Sequence, residues 1–214
     1  FNNYSNDIGS GWTCIFIKLH ITLVNFKLRH ICVFSIKKLM KSKENLVFLG
    51  MMGSGKSSIG LLIAKKLRVD FIDVDKEIEK ELGISIKKIF ETKGENYFRK
   101  IEKKITLEEL KKNNLVVALG GGAFINTSIR GKIKESCISF WLDLNIKSLL
   151  DRLKNVTKRP LLNKDQLEQS INKIYSERKK IYNESNFRIK CNSMDKDEIV
   201  FKIIELYESS RNKI

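Results

Sequence analysis

The sequence predicts a three-layer α/β/α fold around a central parallel five-stranded sheet, on three observations. Short apolar runs alternate with helical stretches, three of those runs end in glycine or aspartate, and no repeat or linker divides the series. Residues 45–49 (NLVFL) are an apolar run closed by Gly50, which suits a strand buried on both faces. Ile59, Leu62, Ile63 and Leu67 then recur at helical spacing over 56–67. A second strand is expected at 71–73, followed by short helices over 76–82 and 85–92 with Gly83 between them. A longer helix covers 94–110, with Phe98, Ile101, Ile105 and Leu107 along one side. The third strand is 115–119 (LVVAL), ended by three glycines, and the fourth is 137–142. A helix over 145–153 precedes a polar stretch at 154–164 that holds the only proline, Pro160. A helix over 166–184, a strand at 187–190 and a helix over 195–211 close the series.

The composition, 42% apolar and 31% charged over 214 residues, fits one globular domain. The formal net charge of +16 would suit an acidic partner, whether nucleic acid, an anionic surface or small phosphorylated and carboxylated ligands. Lysines alternating with glutamates, as in Glu102-Lys103-Lys104, favour the blander reading of solvated helix faces. Cys14, Cys32, Cys137 and Cys191 show no metal-ligand spacing, so free thiols in a reducing compartment are expected. Both histidines, His20 and His30, precede residue 40, which removes any histidine-dependent nucleophile from the main domain.

Residues 1–39 read differently. They carry one acid, Asp7, and apolar runs too short to span a bilayer. They fit either an organelle transit peptide or translated upstream sequence ahead of a start at Met40, and the second reading is preferred. The expected organisation is a leader at 1–39 outside the fold and a single domain at 40–214, cytoplasmic unless the leader directs import.

The chemistry begins at residues 50–57. Gly50-Met51-Met52-Gly53-Ser54-Gly55-Lys56-Ser57 fits the phosphate-binding pattern G-x-x-x-x-G-K-[ST] at every fixed position, between a strand and a helix. Glycines allow a tight turn whose N–H groups face phosphate oxygens at the positive end of a helix. Gly53, Ser54, Gly55, Lys56, Ser57 and Ser58 are the expected nucleotide contacts, with Lys56 on the β/γ oxygens and Ser57 a Mg²⁺ ligand. The expected fold is that of a P-loop protein with nucleoside-monophosphate-kinase-like architecture. Asp73 and Asp75 follow the second strand, and alternation in an extended segment would put both carboxylates on one side. They could serve Mg²⁺ and an acceptor hydroxyl, or Asp75 could simply cap a helix beginning at Lys76.

Taken together, GMMGSGKSSIG, FIDVDKEIE, GENYFRKIE, LGGGA and KRPLL resemble shikimate kinases in order and spacing, over nearly all of the main domain. The resemblance implies transfer of the γ-phosphate of MgATP to the 3-hydroxyl of shikimate. It implies that Asp75 holds the substrate hydroxyls and accepts a proton, and that Asp73 fixes Mg²⁺ through water. Arg99 and Arg178 would bind the substrate carboxylate, with Glu102 orienting Arg99, and the Gly121 amide would touch substrate. Arg159 would reach the phosphates from a mobile lid at about 154–166, and Arg152 would pack on adenine. The 191–196 loop lacks the proline that some members place against adenine.

Lys56, Asp75 and Arg159 are thus the expected catalytic set. ATP, Mg²⁺ and a small hydroxy-acid are the expected ligands, and a monomer without nucleic-acid or membrane partners is expected. A kinase for gluconate or a nucleotide, or a non-catalytic nucleotide-binding protein, are the rival readings.

Overall fold

The computed structural model describes residues 44–153 and 167–211. The expected leader, the expected lid and Arg159 lie outside the described residues.

Five strands form one sheet in the order β2-β3-β1-β4-β5, all parallel. They are β1 (Asn45–Leu49), β2 (Asp70–Asp73), β3 (Leu115–Ala118), β4 (Cys137–Asp143) and β5 (Phe187–Lys190). Every residue of β1 and β3 is buried, so helices cover both faces of the sheet there. The register Phe48↔Phe140 and Phe140↔Phe187 stacks three rings on one face, with centroids 5.6 and 5.1 Å apart. Burying each such ring stabilises the fold by about 1.5–3 kcal/mol.

The helices are α1 (Lys56–Leu67), α2 (Val74–Leu82), α3 (Ile86–Glu109), α4 (Thr127–Ser136), α5 (Ile146–Leu153), α6 (Leu167–Tyr182) and α7 (Lys196–Arg211), with a 3₁₀ turn at Ala123–Ile125. α1 buries Ile59, Ile63 and Leu67 and approaches the sheet so closely that a methyl group on Gly60 would stand 2.7 Å from the Phe71 ring. α3 is interrupted at Gly94, whose φ of 77° and ψ of 172° are not helical, so a fresh helical segment begins at Glu95. That break matches the two separate helices the sequence suggests.

Two features differ from expectation. The sequence suggests nothing regular between β3 and β4, yet the 3₁₀ turn and α4 lie there. Asn126 caps α4 by accepting from the Ser128 and Ile129 amides at 3.0 and 3.2 Å. Helix α2 also starts at Val74, not Lys76, because the Asp73 carboxylate accepts from the Asp75 amide at 3.1 Å. Asp73 is therefore the cap, and Asp75 stands in the first helical turn instead of an extended segment.

Candidate active site

In a parallel sheet the carboxyl ends of the strands share one edge, and ligands gather there. Gly50 after β1, Asp73 at the end of β2 and Gly120 just beyond β3 all emerge at that edge.

The phosphate loop is shaped by its backbone. Gly50, Gly53 and Gly55 have φ of 138°, 78° and 100°, in the region that side chains disfavour. A methyl group on Gly50 would also stand 2.6 Å from the Leu142 carbonyl. Gly55 is the N-cap of α1 and offers no side-chain cap, and no acid stands in the first turn. That leaves the helix N-terminus suited to an outside anion. Lys56 is buried, and its Nζ donates to the carbonyls of Gly50 and Met51 at 3.1 and 3.0 Å, stretched across the loop. The buried Ser54 hydroxyl has no partner among the described residues. Arg152 on α5 donates to the Gly53 carbonyl at 3.1 Å, which places it on the rim of the loop.

The loop Gly120-Gly121-Gly122 faces charged groups at each of its residues. A methyl group on Gly120 would stand 2.5 Å from Glu102 Oε1 and 2.7 Å from Asp75 Oδ1. On Gly121 it would lie 3.3 Å from Arg178 Nη1, and on Gly122 only 2.6–2.7 Å from the Arg99 guanidinium. Glycine is what lets two carboxylates and two guanidinium groups, from α2, α3 and α6, close on one loop. Gly121 also backs onto the phosphate loop, 3.5 Å from the Met52 amide by the same construction.

Arg99 is held from two sides. Its Nη1 donates to Glu102 Oε2 at 2.7 Å, while Nε and Nη2 both donate to Glu95 Oε1 at 3.1 and 3.0 Å. Burial works against the Arg99 charge, but Glu102 and Glu95 more than offset it and raise its pKa above the usual value. Glu102 is 2% exposed, and its Oε1 has no hydrogen-bond partner among the described residues. Burial pushes the Glu102 carboxyl up, Arg99 pulls it back, and the nearby Asp75 adds to the rise.

The C-terminal half of helix α6 is tied to two places. Arg178 Nη1 donates to the Gly121 carbonyl at 2.8 Å, and the Tyr182 hydroxyl donates to the same oxygen. One turn earlier, Tyr175 donates to Asp143 Oδ1 at 2.9 Å, and Arg188 of β5 holds Asp143 Oδ2 through Nε and Nη2. The Tyr175 phenol is pushed up to about 12 by burial and by Asp143.

Comparison with known proteins fits this geometry. The shikimate kinase family model matches residues 52–208. The chain belongs to the shikimate kinase family. It is 41% identical over 161 residues to the shikimate kinase of Sulfurihydrogenibium sp. (strain YO3AOP1), covering 75% of this chain and 96% of that protein. It is 40% identical over 167 residues to the Bacillus subtilis (strain 168) enzyme, covering 76% of this chain and 88% of that one. The solved shikimate kinase from Acinetobacter baumannii in complex with shikimate superposes with a TM-score of 0.78 at 32% identity, over 81% of this chain and 97% of that one. A gluconokinase from Sinorhizobium meliloti, at 19% identity and a TM-score of 0.51, shares the fold alone.

Family membership implies use of ATP as phosphoryl donor. Asp75, Arg178 and Arg99 approach Gly120, Gly121 and Gly122 in turn, Asp73 ends β2, and Arg152 reaches the phosphate loop at Gly53. Glu95 and Tyr182 carry no sequence signal of their own. Each stands four residues from an arginine already singled out, Arg99 and Arg178, and that spacing is the only clue. Cys137 and Cys191 are free and buried, which excludes a disulfide between them. Among the described residues no helix is long and apolar enough to cross a membrane, and no cluster of three His, Cys, Asp or Glu could hold a metal.

Proposed function

We propose that this chain transfers the γ-phosphoryl group of ATP to the 3-hydroxyl of shikimate, giving shikimate 3-phosphate and ADP. One observation supports the reading most: Gly120–Gly122 faces two carboxylates and two guanidinium groups beside a phosphate loop. Such a pocket complements a small acceptor that carries both hydroxyls and a carboxylate.

In the proposed reaction the acceptor hydroxyl oxygen bonds to the γ-phosphorus, the bond from that phosphorus to the bridging oxygen of ADP breaks, and the hydroxyl proton passes to Asp75. Lys56 neutralises charge on the phosphoryl group, and Arg159 keeps the same role by family resemblance. Arg99 and Arg178 hold the carboxylate, and Gly121 presents backbone to the ring. Gly53, Ser54, Gly55, Ser57 and Ser58 cradle the phosphates, with Arg152 at the nucleotide rim. Positioning and fixed charge supply most of the acceleration in such transfers.

The Ser57 hydroxyl and Asp73 carboxylate are oxygen donors that fit Mg²⁺, which keeps much of its shell from water and phosphate. Held there, such an ion would supply positive charge against the phosphate oxygens.

A coupled ADP-release assay with shikimate, gluconate and AMP offered separately tests the reading. Release is expected with shikimate alone; release no faster than background with shikimate overturns it.

A further inference from the structure

A peptide between two glycines is among the freest in any chain, because no side chain restrains its torsions. The Gly121–Gly122 peptide stands between the phosphate loop, which backs Gly121, and Arg99, which covers Gly122. A rotation of that plane would leave the Gly121 Cα that faces the phosphate loop in place and would move the carbonyl and the N–H on the Gly122 side, beside Arg99. Its carbonyl, with two lone pairs, takes two donors from α6: Arg178 Nη1 at 2.8 Å and the Tyr182 hydroxyl. The described peptides are all trans, so the Gly122 N–H points opposite to this carbonyl, away from α6.

We propose that Tyr182 is a positioning residue of the acceptor site, which fixes the Gly121–Gly122 peptide plane by sharing the Gly121 carbonyl with Arg178. The inference rests on the function proposed above and adds a residue to it. Arg178 alone could not serve equally well. It is a half-buried side chain with a further partner to meet in the substrate, whereas Tyr182 is wholly buried, and its hydroxyl also meets the Arg178 side chain. Its ring is locked against Trp141, with centroids 5.8 Å apart, and it shares a helix face with Arg178 four residues earlier. Burial raises the Tyr182 phenol pKa, so its hydroxyl remains a donor well into the alkaline range.

The test is Tyr182→Phe in the full chain, assayed for ADP release with each substrate varied in turn. Loss of one buried hydrogen bond is expected to raise the acceptor KM about fivefold to tenfold. The ATP KM is expected to stay within about twofold, because the carbonyl that Tyr182 holds belongs to Gly121, outside the phosphate loop. Placing p-aminophenylalanine at 182 restores a donor and is expected to return the acceptor KM to near the parent value.

An acceptor KM unchanged in Tyr182→Phe, or both KM values raised together, overturns the proposal in favour of simple packing. If Tyr182→Phe does not fold, the p-aminophenylalanine protein carries the test, and a raised acceptor KM there overturns the proposal. A parent chain without turnover on shikimate overturns the function and this inference together. Parental turnover with an indifferent Tyr182→Phe overturns this inference alone.

Discussion

The two halves of the proposed site are built on opposite plans. The donor half is one contiguous stretch, residues 50–57, in which backbone amides and glycine torsions make the cradle and Lys56 is its main charge. The acceptor half is assembled from α2, α3, α6 and the 120–122 loop, and its chemistry lies in side chains that converge from distant parts of the chain. A cradle made of backbone serves any nucleoside triphosphate, so it carries little selectivity. A pocket of converging charges can discriminate, but each charge must be held in place. The supporting contacts are accordingly concentrated on the proposed acceptor side, where Glu95 and Glu102 hold Arg99, and Tyr182 shares the Gly121 carbonyl with Arg178.

That contrast can be broken most sharply at its two central charges. Lys56→Met should lower kcat about a thousandfold, the scale for removing a preorganised charge from a transition state. Asp75→Asn should cost about as much through loss of the proton acceptor. Circular dichroism should report an intact fold in both, and near-parental kcat in either purified variant would sink the assignment.

A smaller effect separates the halves. Gly120→Ala drives a methyl group into Glu102 and Asp75, a clash of about 1–3 kcal/mol, or roughly fivefold to 150-fold. It should appear in the acceptor KM and leave ATP affinity alone, so equal losses on both substrates would refute the division.

Glu102→Gln probes the buried carboxylate through pH. Its folded pKa lies above the unfolded value, so the stability it contributes is present below the usual carboxylate pKa, near 4.5, and is lost as pH rises through the folded value. The melting temperature of Glu102→Gln relative to the parent should therefore climb from acid to neutral pH. A difference flat across that range would show that Glu102 is not destabilised as an anion. Smallest of all, Arg152→Ala removes one exposed hydrogen bond to Gly53. Titration should find ATP affinity weakened by a few-fold, about 1 kcal/mol or less, with the acceptor KM unmoved.

The same division explains what could be read in the sequence. β1, the phosphate loop and α1 are legible because a strand, a glycine-rich turn and an amphipathic helix follow one another without a gap. The acceptor half is legible only through family resemblance, since an Arg three residues before a Glu otherwise reads as a surface pair. Nothing in the local sequence tells that Glu102 is buried, because burial there depends on the packing of α2, α3 and the glycine loop. Helix α4 escapes notice because only Ile129 and Ile133 mark its buried face and Gly131 falls between them. Its one local sign was Asn126, the capping residue. Strand alternation carried two residues past the cap at Asp73 puts Asp75 in an extended segment, whereas it stands in the first turn of α2.

Gly94 offers a lesson for anyone redesigning this surface. A methyl group there would meet no atom within 4 Å, so a map of empty space marks the position as freely variable. A map of torsions marks it as closed: φ of 77° with ψ of 172° is a combination essentially reserved for glycine, and another residue would pay about 1–3 kcal/mol to adopt it. A mutational library chosen by openness alone would include this site and lose on it. The damage would also surface one helical turn beyond, where Arg99 takes its direction from the segment that Gly94 starts.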